Sequence, residues 1–176
     1  EYKTHGRAPF LKAIQQAEHS LKIAAYRLDD QGNENDMGIL PAVLEAHKRG
    51  IDIQIILEKE TYSHGNTNSS NENSLSILEN AGITVFDRPE WTEQTHHKVI
   101  IIDDEAVCLT TGNFDIESFD GGAGYKNTRD FTLFIDDPEI VTEILNVFVG
   151  DTENRRVEKT HPKLLWGPKG QREKLM

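Results

Sequence analysis

The sequence has few of the features that assign a chain to a specialised class of protein. It contains one cysteine, Cys108, so no disulfide can form within the chain. It has no apolar run near the roughly 20 residues that a membrane-spanning helix needs. Lys and Arg number 19 against 30 Asp and Glu, and the net charge of -11 argues against a broad electrostatic footprint for nucleic acid or anionic lipid. We find no internal repeat and no convincing cluster of metal ligands.

What the sequence does contain is an alternation of helical and strand-like patterns. The length of 176 residues suits one domain with a substantial core. The patterns predict helices over 9–18, 39–49, 74–80 and 138–149, and strands over 20–28, 51–57, 83–86, 99–103, 106–111 and 131–135. This alternation predicts an α/β layered fold, and the hairpin over 99–111 predicts that its sheet is mixed. Gly50 is predicted to cap the second helix, and Cys108 to be a buried structural thiol.

Other segments have weaker patterns. The Ser- and Asn-rich segment 61–73 is predicted to be a surface loop, and 118–127 a glycine-containing loop. Residues 163–168 suggest a short strand and turn, and 171–176 the start of a helix. We place a domain over 1–152, followed over 153–176 by a more basic extension or linker.

Reactive side chains cluster around the predicted hairpin. His96 and Lys98 stand two residues apart, so strand alternation places them on one face. Thr111 and Asn113 share a face by the same argument, and the hairpin would bring all four toward one pocket. Asp103 falls at the turn, where we expect a structural role, either in an Asx-type turn or in hydrogen bonds to backbone amides.

Each of these residues also has an ordinary structural explanation. A histidine at a charged strand end is commonly solvated, a lysine there discourages edge pairing, and an asparagine after glycine commonly forms a turn. The combined spacing is more specific than any one residue. His97 is the rival nucleophile, but its spacing to Lys98 and its strand parity favour His96. The two adjacent histidines would point to opposite faces, so we do not expect them to share a zinc ion.

The spacing His96-x-Lys98-x4-Asp103-x6-Thr110-Thr111-x-Asn113 resembles the HKD motif of the phospholipase D superfamily. Every interval matches, and the departure is Thr110-Thr111 where Gly-Ser is usual. Tyr26, the segment 46–53 and the run Asn127-x-Arg129-Asp130-Phe131 are similar to bacterial cardiolipin synthase-like members. The resemblance covers roughly residues 8–151. It implies an α/β/α sandwich, with a mixed sheet flanked by helices on both faces.

The resemblance also implies roles for individual residues. His96 would be the nucleophile or its partner general acid, and Lys98 and Asn113 would hold phosphate oxygens. Thr111 would supply the motif's hydroxyl, and Asp130 would orient the imidazole ring. The implied activity is that of a metal-independent phosphodiesterase or phosphatidyltransferase working through a phosphohistidine, without a cofactor.

That mechanism uses two histidines from two motifs, and this chain carries one motif. We therefore expect a partner, either a second HKD half or a second copy of the chain. The segment 164–175 resembles the start of a second half, which suggests that the chain is the N-terminal half of a two-motif protein. The predicted substrate is a phosphodiester, with phospholipid favoured. The alternatives are a nuclease of the same superfamily, or a half-site that is inactive without its partner motif.

Overall fold

A mixed sheet of six strands organises the chain in the computed structural model, which describes residues 6–28, 38–59, 61–63, 66–68, 71–119 and 129–167. The sheet order is β5-β2-β1-β6-β7-β8, and β3 pairs with β4 apart from it. The strands are β1 (Ser20–Ala25), β2 (Asp52–Leu57), β3 (Thr61–Ser63), β4 (Asn66–Asn68), β5 (Thr84–Phe86), β6 (Lys98–Ile102), β7 (Ala106–Thr110) and β8 (Thr132–Ile135). The helices are α1 (Ala8–Gln16), α2 (Ile39–Lys48), α3 (Glu72–Asn80), α4 (Ile116–Phe119) and α5 (Pro138–Thr152).

Strand direction changes in the middle of the sheet. β1, β2 and β5 run parallel, because helical crossovers connect them. β6 runs antiparallel to β1, and β7 and β8 continue as antiparallel neighbours. The predicted mixed sheet is confirmed, and its hairpin β6–β7 lies beside the central strand.

Helices cover both faces of the sheet, as predicted. Alternate residues of the central strands, such as Ile23 and Ile100, belong to a core that includes α1, α2 and α3. The intervening residues, such as Ala24 and Val99, belong to a second core with α5. The strands are apolar on both faces because both faces are buried.

Capping residues fix the end of α2 and the start of α5. Gly50 follows α2 with φ of +87°, a left-handed conformation that glycine adopts without a steric penalty. Asp137 accepts hydrogen bonds from the amides of Glu139 and Ile140 and so starts α5, with Pro138 at its first position. Cys108 is fully buried, and burial raises the pKa of its thiol to about 12, which confirms the prediction of an inert core thiol.

The outcome differs among four predictions about individual segments. The predicted loop 61–73 contains the hairpin β3–β4, whose polar strands lack the hydrophobic alternation that would announce them. Residues 163–167 form no strand; the amide of Leu164 donates to the carbonyl of His161 in a turn, and Trp166 Nε1 donates to Glu143 on α5. The loop prediction beyond residue 119 up to 127, and the helix start over 171–176, lie outside the described residues.

The segment 153–167 packs onto the domain. The carboxylate of Glu143 on α5 accepts hydrogen bonds from the amides of Thr160 and His161 and from Trp166 Nε1, at 2.6 to 2.8 Å. Val157 lies so close to Gly150 that a Cβ added there would fall 2.3 Å from its Cγ2. This strap, residues 153–167, therefore runs along α5, and a domain boundary at 152 stays a prediction.

Asp103 ties the far end of the hairpin to the start of β1. Its carboxylate accepts hydrogen bonds from the amides of Glu18, His19 and Ser20, at 2.7 to 3.1 Å. These bonds outweigh the effect of burial and lower the pKa of Asp103. Asp103 therefore makes hydrogen bonds to backbone amides of the kind expected, and its structural role stays a prediction.

Candidate active site

The motif residues meet at the carboxyl end of β1 and β2, where β6 begins and β7 ends. The chain that leaves β1 runs between the two sides of the motif. Tyr26 donates its amide hydrogen to the carbonyl of His97 at 3.1 Å, and Arg27 accepts one from Phe114 at 3.2 Å. The carboxyl ends of parallel strands are a usual place for a ligand site in an α/β sheet.

His96 and Lys98 form the centre of the site. Lys98 Nζ lies 2.8 Å from His96 Nδ1, 3.0 Å from Nε2 and 3.0 Å from the His96 carbonyl oxygen. The ring of His96 packs against that of Tyr26, with 4.7 Å between centroids, and Lys98 Nζ lies 5.5 Å from the Tyr26 ring. His96 is exposed while Lys98 is 4% exposed, so the imidazole faces solvent in front of a buried cation.

Burial and charge shift both pKa values downward. Burial, with the nearby charge of Lys98, lowers the pKa of His96 below 6.5. Burial lowers the pKa of Lys98 to about 8, against the opposing effect of Asp115 and Asp130. At pH 7 the imidazole is therefore mainly neutral and the lysine mainly charged, the states that a nucleophile and an anion-binding group require.

Thr111 and Asp130 pair with each other beside this centre. Thr111 Oγ1 donates to Asp130 Oδ1 at 2.8 Å and accepts from the amide of Phe131 at 2.9 Å. A Cβ added to Gly112 would lie 3.0 Å from Asp130 Cγ and 3.0 Å from Ser118 Cβ. The carboxylate thus packs directly on the glycine, and its role in orienting the His96 ring stays a prediction.

Asn113 and Asp115 follow on the same loop. The Oδ1 atom of Asn113 is buried without a hydrogen-bond partner among the described residues, so one polar end of its carboxamide is unused. Asp115 is 2% exposed; it accepts from the amide and hydroxyl of Ser118 and lies 3.7 Å from Arg27 Nη1. The negative charge of Asp115 helps to keep Lys98 protonated.

The strand register corrects one part of the face prediction. Leu109 lies opposite Val99, and Cys108 lies opposite Ile100, so Leu109 faces α5 together with Val99. Lys98 falls on the other face, where alternation places Thr110 rather than Thr111. β7 ends at Thr110, and the bend that follows, rather than strand parity, positions Thr111 and Asn113.

His97, the rival nucleophile, sits in a different environment. Its ring lies 6.2 Å from that of Trp166 in the strap, in an edge-on arrangement. Burial lowers the pKa of His97 to about 4, helped by the charges of Lys159 and Lys98. This imidazole is neutral but packed, whereas the imidazole of His96 is exposed.

A cavity of about 270 Å³ adjoins the site between the sheet, α5 and the strap. His96, His97, Lys98 and Thr110 line the end that meets the site. Its walls are mainly apolar and include Ala24, Ile56, Val99, Ile101, Leu109, Ile144, Val147, Phe148, Leu164 and Trp166. Among the described residues that line the cavity, Asp151 is the one acid, and burial raises its pKa to about 6.

Metal ligands and membrane-spanning helices both bear on the kind of site. Within the described ranges, no three His, Cys, Asp or Glu side chains gather as a metal site would require. In the same part of the chain, none of the helices has the length and apolar character needed to cross a bilayer.

Sequence reasoning missed three side chains that support the site: Glu58, Asn71 and Asp115. All three are at most 2% exposed. Glu58 directly follows the apolar run 55–57 and Asp115 stands two residues after Asn113, so an acid at each place was a detectable signal. Asn71 lies in a polar segment that offered no such signal.

Comparisons with known proteins agree with this fold and motif. Residues 10–152 match the family model described as "Cardiolipin synthase, PLD-like domain". A comparison of the sequence with curated proteins finds no match. Because the family model matches residues 10–152, the chain belongs to the phospholipase D superfamily, in the family of cardiolipin synthase PLD-like domains.

Solved structures support the same fold. Nuc from Salmonella typhimurium, a phospholipase D family member, is 24% identical with a TM-score of 0.65; the match covers 88% of this chain and 91% of Nuc. NucT from Helicobacter pylori is 23% identical with a TM-score of 0.62, over 84% of this chain and 87% of NucT. Phosphatidylserine synthase from Haemophilus influenzae is 12% identical with a TM-score of 0.61, over 81% of this chain and 34% of that protein.

Proposed function

We propose that the chain is a phosphodiesterase or phosphatidyltransferase in which His96 attacks phosphorus and a phosphohistidine forms. The observation that carries the proposal is the exposed, neutral imidazole of His96 held against the buried ammonium of Lys98. A new N–P bond would form at His96 while the P–O bond to the leaving group breaks. Water or an alcohol would then attack phosphorus and release the histidine.

Lys98 would change partners during this reaction. In the free site its ammonium can donate to the unprotonated nitrogen of His96. A bound phosphodiester is an anion and would draw the ammonium onto its non-bridging oxygens. The lone pair of His96 would then be free to attack. The carboxamide of Asn113 would hold a second oxygen through the hydrogens of its Nδ2, since its buried Oδ1 can only accept a hydrogen bond. The positive charge of Lys98 would allow turnover without an added divalent metal.

The leaving oxygen needs a proton from a second acid, which we assign to another copy of the motif. Besides His96 and His97, the described histidines are His19, His47 and His161. His19 lies beside Asp103 at the far end of the sheet, His47 on α2, and His161 beside Glu139. We therefore propose that a second HKD half or a second copy completes the site. Self-pairing predicts a dimer by light scattering at tens of micromolar protein; a monomer there would count against it.

A phospholipid is the favoured substrate. The apolar cavity begins at His96 and Lys98, so a phosphate bound there can extend an alkyl group into it. The net charge of -11 also disfavours a long polyanion more than a single phosphodiester. The main support for a lipid substrate is therefore the apolar wall of the cavity next to His96.

A nuclease is the second candidate, and one patch favours it. Arg156 and Lys159 lie over the ring of Trp91 at 5.3 and 5.8 Å, and Lys159 lies 5.0 Å from the ring of Trp166. Cations interleaved with aromatic rings suit single-stranded nucleic acid. In this patch, however, the cations already occupy positions over the indole rings.

The substrate test uses the whole chain in EDTA, with a fluorescent phosphatidyl substrate and with single-stranded DNA. The proposal predicts cleavage of the lipid, with loss of activity in His96→Asn and no unfolding. Cleavage of DNA alone would reject the lipid assignment in favour of the nuclease. Retained turnover in His96→Asn would overturn the role of His96.

A cavity-filling variant tests whether the cavity receives the alkyl chain of a lipid substrate. Val147→Phe places a larger side chain on the part of the cavity wall that α5 forms. We expect it to raise KM for a long-chain phosphatidyl substrate and to leave a short-chain phosphodiester almost unaffected. Equal effects on both substrates would show that the cavity does not receive the chain.

A further inference from the structure

We propose that Glu58 is a positioning residue that sets the place of His96. Glu58 follows β2 at the end of the sheet that carries the site, and it is 0% exposed. Its Oε2 accepts a hydrogen bond from the amide of Thr95, the residue before His96, at 2.8 Å. The proposal rests on the proposed function, because it assigns to Glu58 the alignment of that nucleophile.

The carboxylate is itself held firmly. Glu58 Oε1 accepts from Arg88 Nη1 at 2.6 Å, in an ion pair with one fully buried partner. A buried carboxylate is stable only when its charge is paired and its oxygens accept hydrogen bonds, and here each oxygen has a donor. Thr95 is 2% exposed, so water does not compete freely for its amide. Glu58 therefore gives the segment before the nucleophile one defined position.

A second side chain fixes Glu58 relative to the other wall of the site. Asn71 Nδ2 donates to the carbonyl of Glu58 at 2.6 Å and to that of Tyr26 at 2.9 Å. Tyr26 in turn packs its ring against His96 and binds the His97 carbonyl through its amide. The loop before His96 and the ring behind it are thus joined through Glu58 and Asn71, both 0% exposed.

Alignment of this kind affects the reaction more than the binding of substrate. Phosphate would be held by Lys98 and Asn113, which Glu58 does not contact among the described hydrogen bonds. A displacement of about 1 Å at a reacting group can cost about 100-fold in rate. Loss of the Thr95 bond should therefore lower kcat and leave KM nearly unchanged.

The test is Glu58→Gln in the whole chain, because Gln keeps the size but has only one acceptor for the two donors. We expect kcat to fall about 10- to 100-fold, with KM within about twofold. The acid limb of the pH profile should move up toward 6.5 as the surroundings of His96 loosen. The Thr95 amide should lose protection from hydrogen exchange.

Asp103→Asn is the matched control, since it also turns a carboxylate that binds backbone amides into an amide, but at the far end of β6. It should lower stability and leave kcat per folded molecule unchanged. If Glu58→Gln does not fold, Arg88→Gln replaces it, because that change removes the anchor and leaves the Thr95 donor in place. It should lower kcat in the same direction.

The positioning role is overturned if kcat per folded molecule is unchanged, if KM rises as much as kcat falls, or if the Thr95 amide stays protected. A wild-type chain that pairs with itself and still has no phosphodiesterase activity would instead refute the proposed function. In that case, hydrogen exchange at Thr95 and an NMR titration of the His96 ring still decide whether Glu58 fixes the loop.

Discussion

Asp103→Asn tests whether the acidic residue of the motif is structural. Asp103 has φ of 53°, a conformation that asparagine tolerates, so the substitution removes the charge without adding backbone strain. The remaining side-chain oxygen can still accept from His19 and Ser20. Hydrogen bonds to a charged group contribute about 1.5–3 kcal/mol each, against about 0.5–1.5 for neutral pairs. Loss of charge at three partly solvated amides should therefore cost about 2 kcal/mol in total.

For a domain of this size, about 2 kcal/mol corresponds to a fall in Tm of about 4–8 °C at pH 7. The difference depends on pH with a definite sign. The pKa of Asp103 is lower in the folded state than its ordinary value of 3.8, so its contribution is fully present above pH 3.8 and is lost as pH falls through the folded value. Wild type and variant should converge in strongly acidic solution.

Thermal unfolding followed by circular dichroism at several pH values measures this difference, and turnover is normalised to the folded fraction. Two results would refute the structural account of Asp103. One is a variant with the wild-type Tm at pH 7. The other is a variant that stays folded and loses turnover, because that would place Asp103 in the chemistry.

Three further predictions concern the candidate site itself. The profile of kcat/KM against pH should be bell-shaped, falling on the acid side below 6.5 as His96 gains a proton and on the alkaline side near 8 as Lys98 loses one. A profile that stays flat from strongly acid solution to pH 9 would contradict both assignments. Gly112→Ala should displace Asp130, because the added Cβ would lie 3.0 Å from the carboxyl carbon of Asp130. We expect kcat to fall about tenfold with a small loss of Tm. Wild-type kinetics in this variant would show that the close packing has no role in the reaction. His97→Gln should reduce the loss of stability that occurs as the pH falls from 6.5 to about 4. In that range the imidazole of His97 takes up a proton in the unfolded wild type but not in the folded form. Urea midpoints of wild type and variant that change in parallel across that range would refute this.

Much of the fold follows from patterns in the sequence. The apolar run of β2 and the hairpin β6–β7 were predictable, because strands buried on both faces are almost wholly apolar. Helix α5 was predictable from its proline and its amphipathic spacing. The β3–β4 hairpin was not, because its polar strands lack that pattern. Residues 163–168 were predicted to form a short strand and turn, because sequence alone does not show that Leu164 would donate to His161 and Trp166 to Glu143.

Sequence spacing selected the residues of the candidate site but did not predict their arrangement. Spacing selected His96 and Lys98, and the structure places them within 3.0 Å. The position of Thr111 depended on the bend after β7, which strand alternation does not describe. The support from Glu58 depends on a contact between residues 37 positions apart, which periodicity cannot reveal.

The most direct test of the central claim is to trap the covalent intermediate. The whole chain is mixed with a phosphodiester substrate, quenched within the first turnover at alkaline pH, and mapped by peptide mass spectrometry. The account predicts a phosphoryl adduct, acid-labile as phosphohistidine is, on His96, and its absence in His96→Asn. Turnover that proceeds without any adduct, or an adduct on His97 instead, would contradict it.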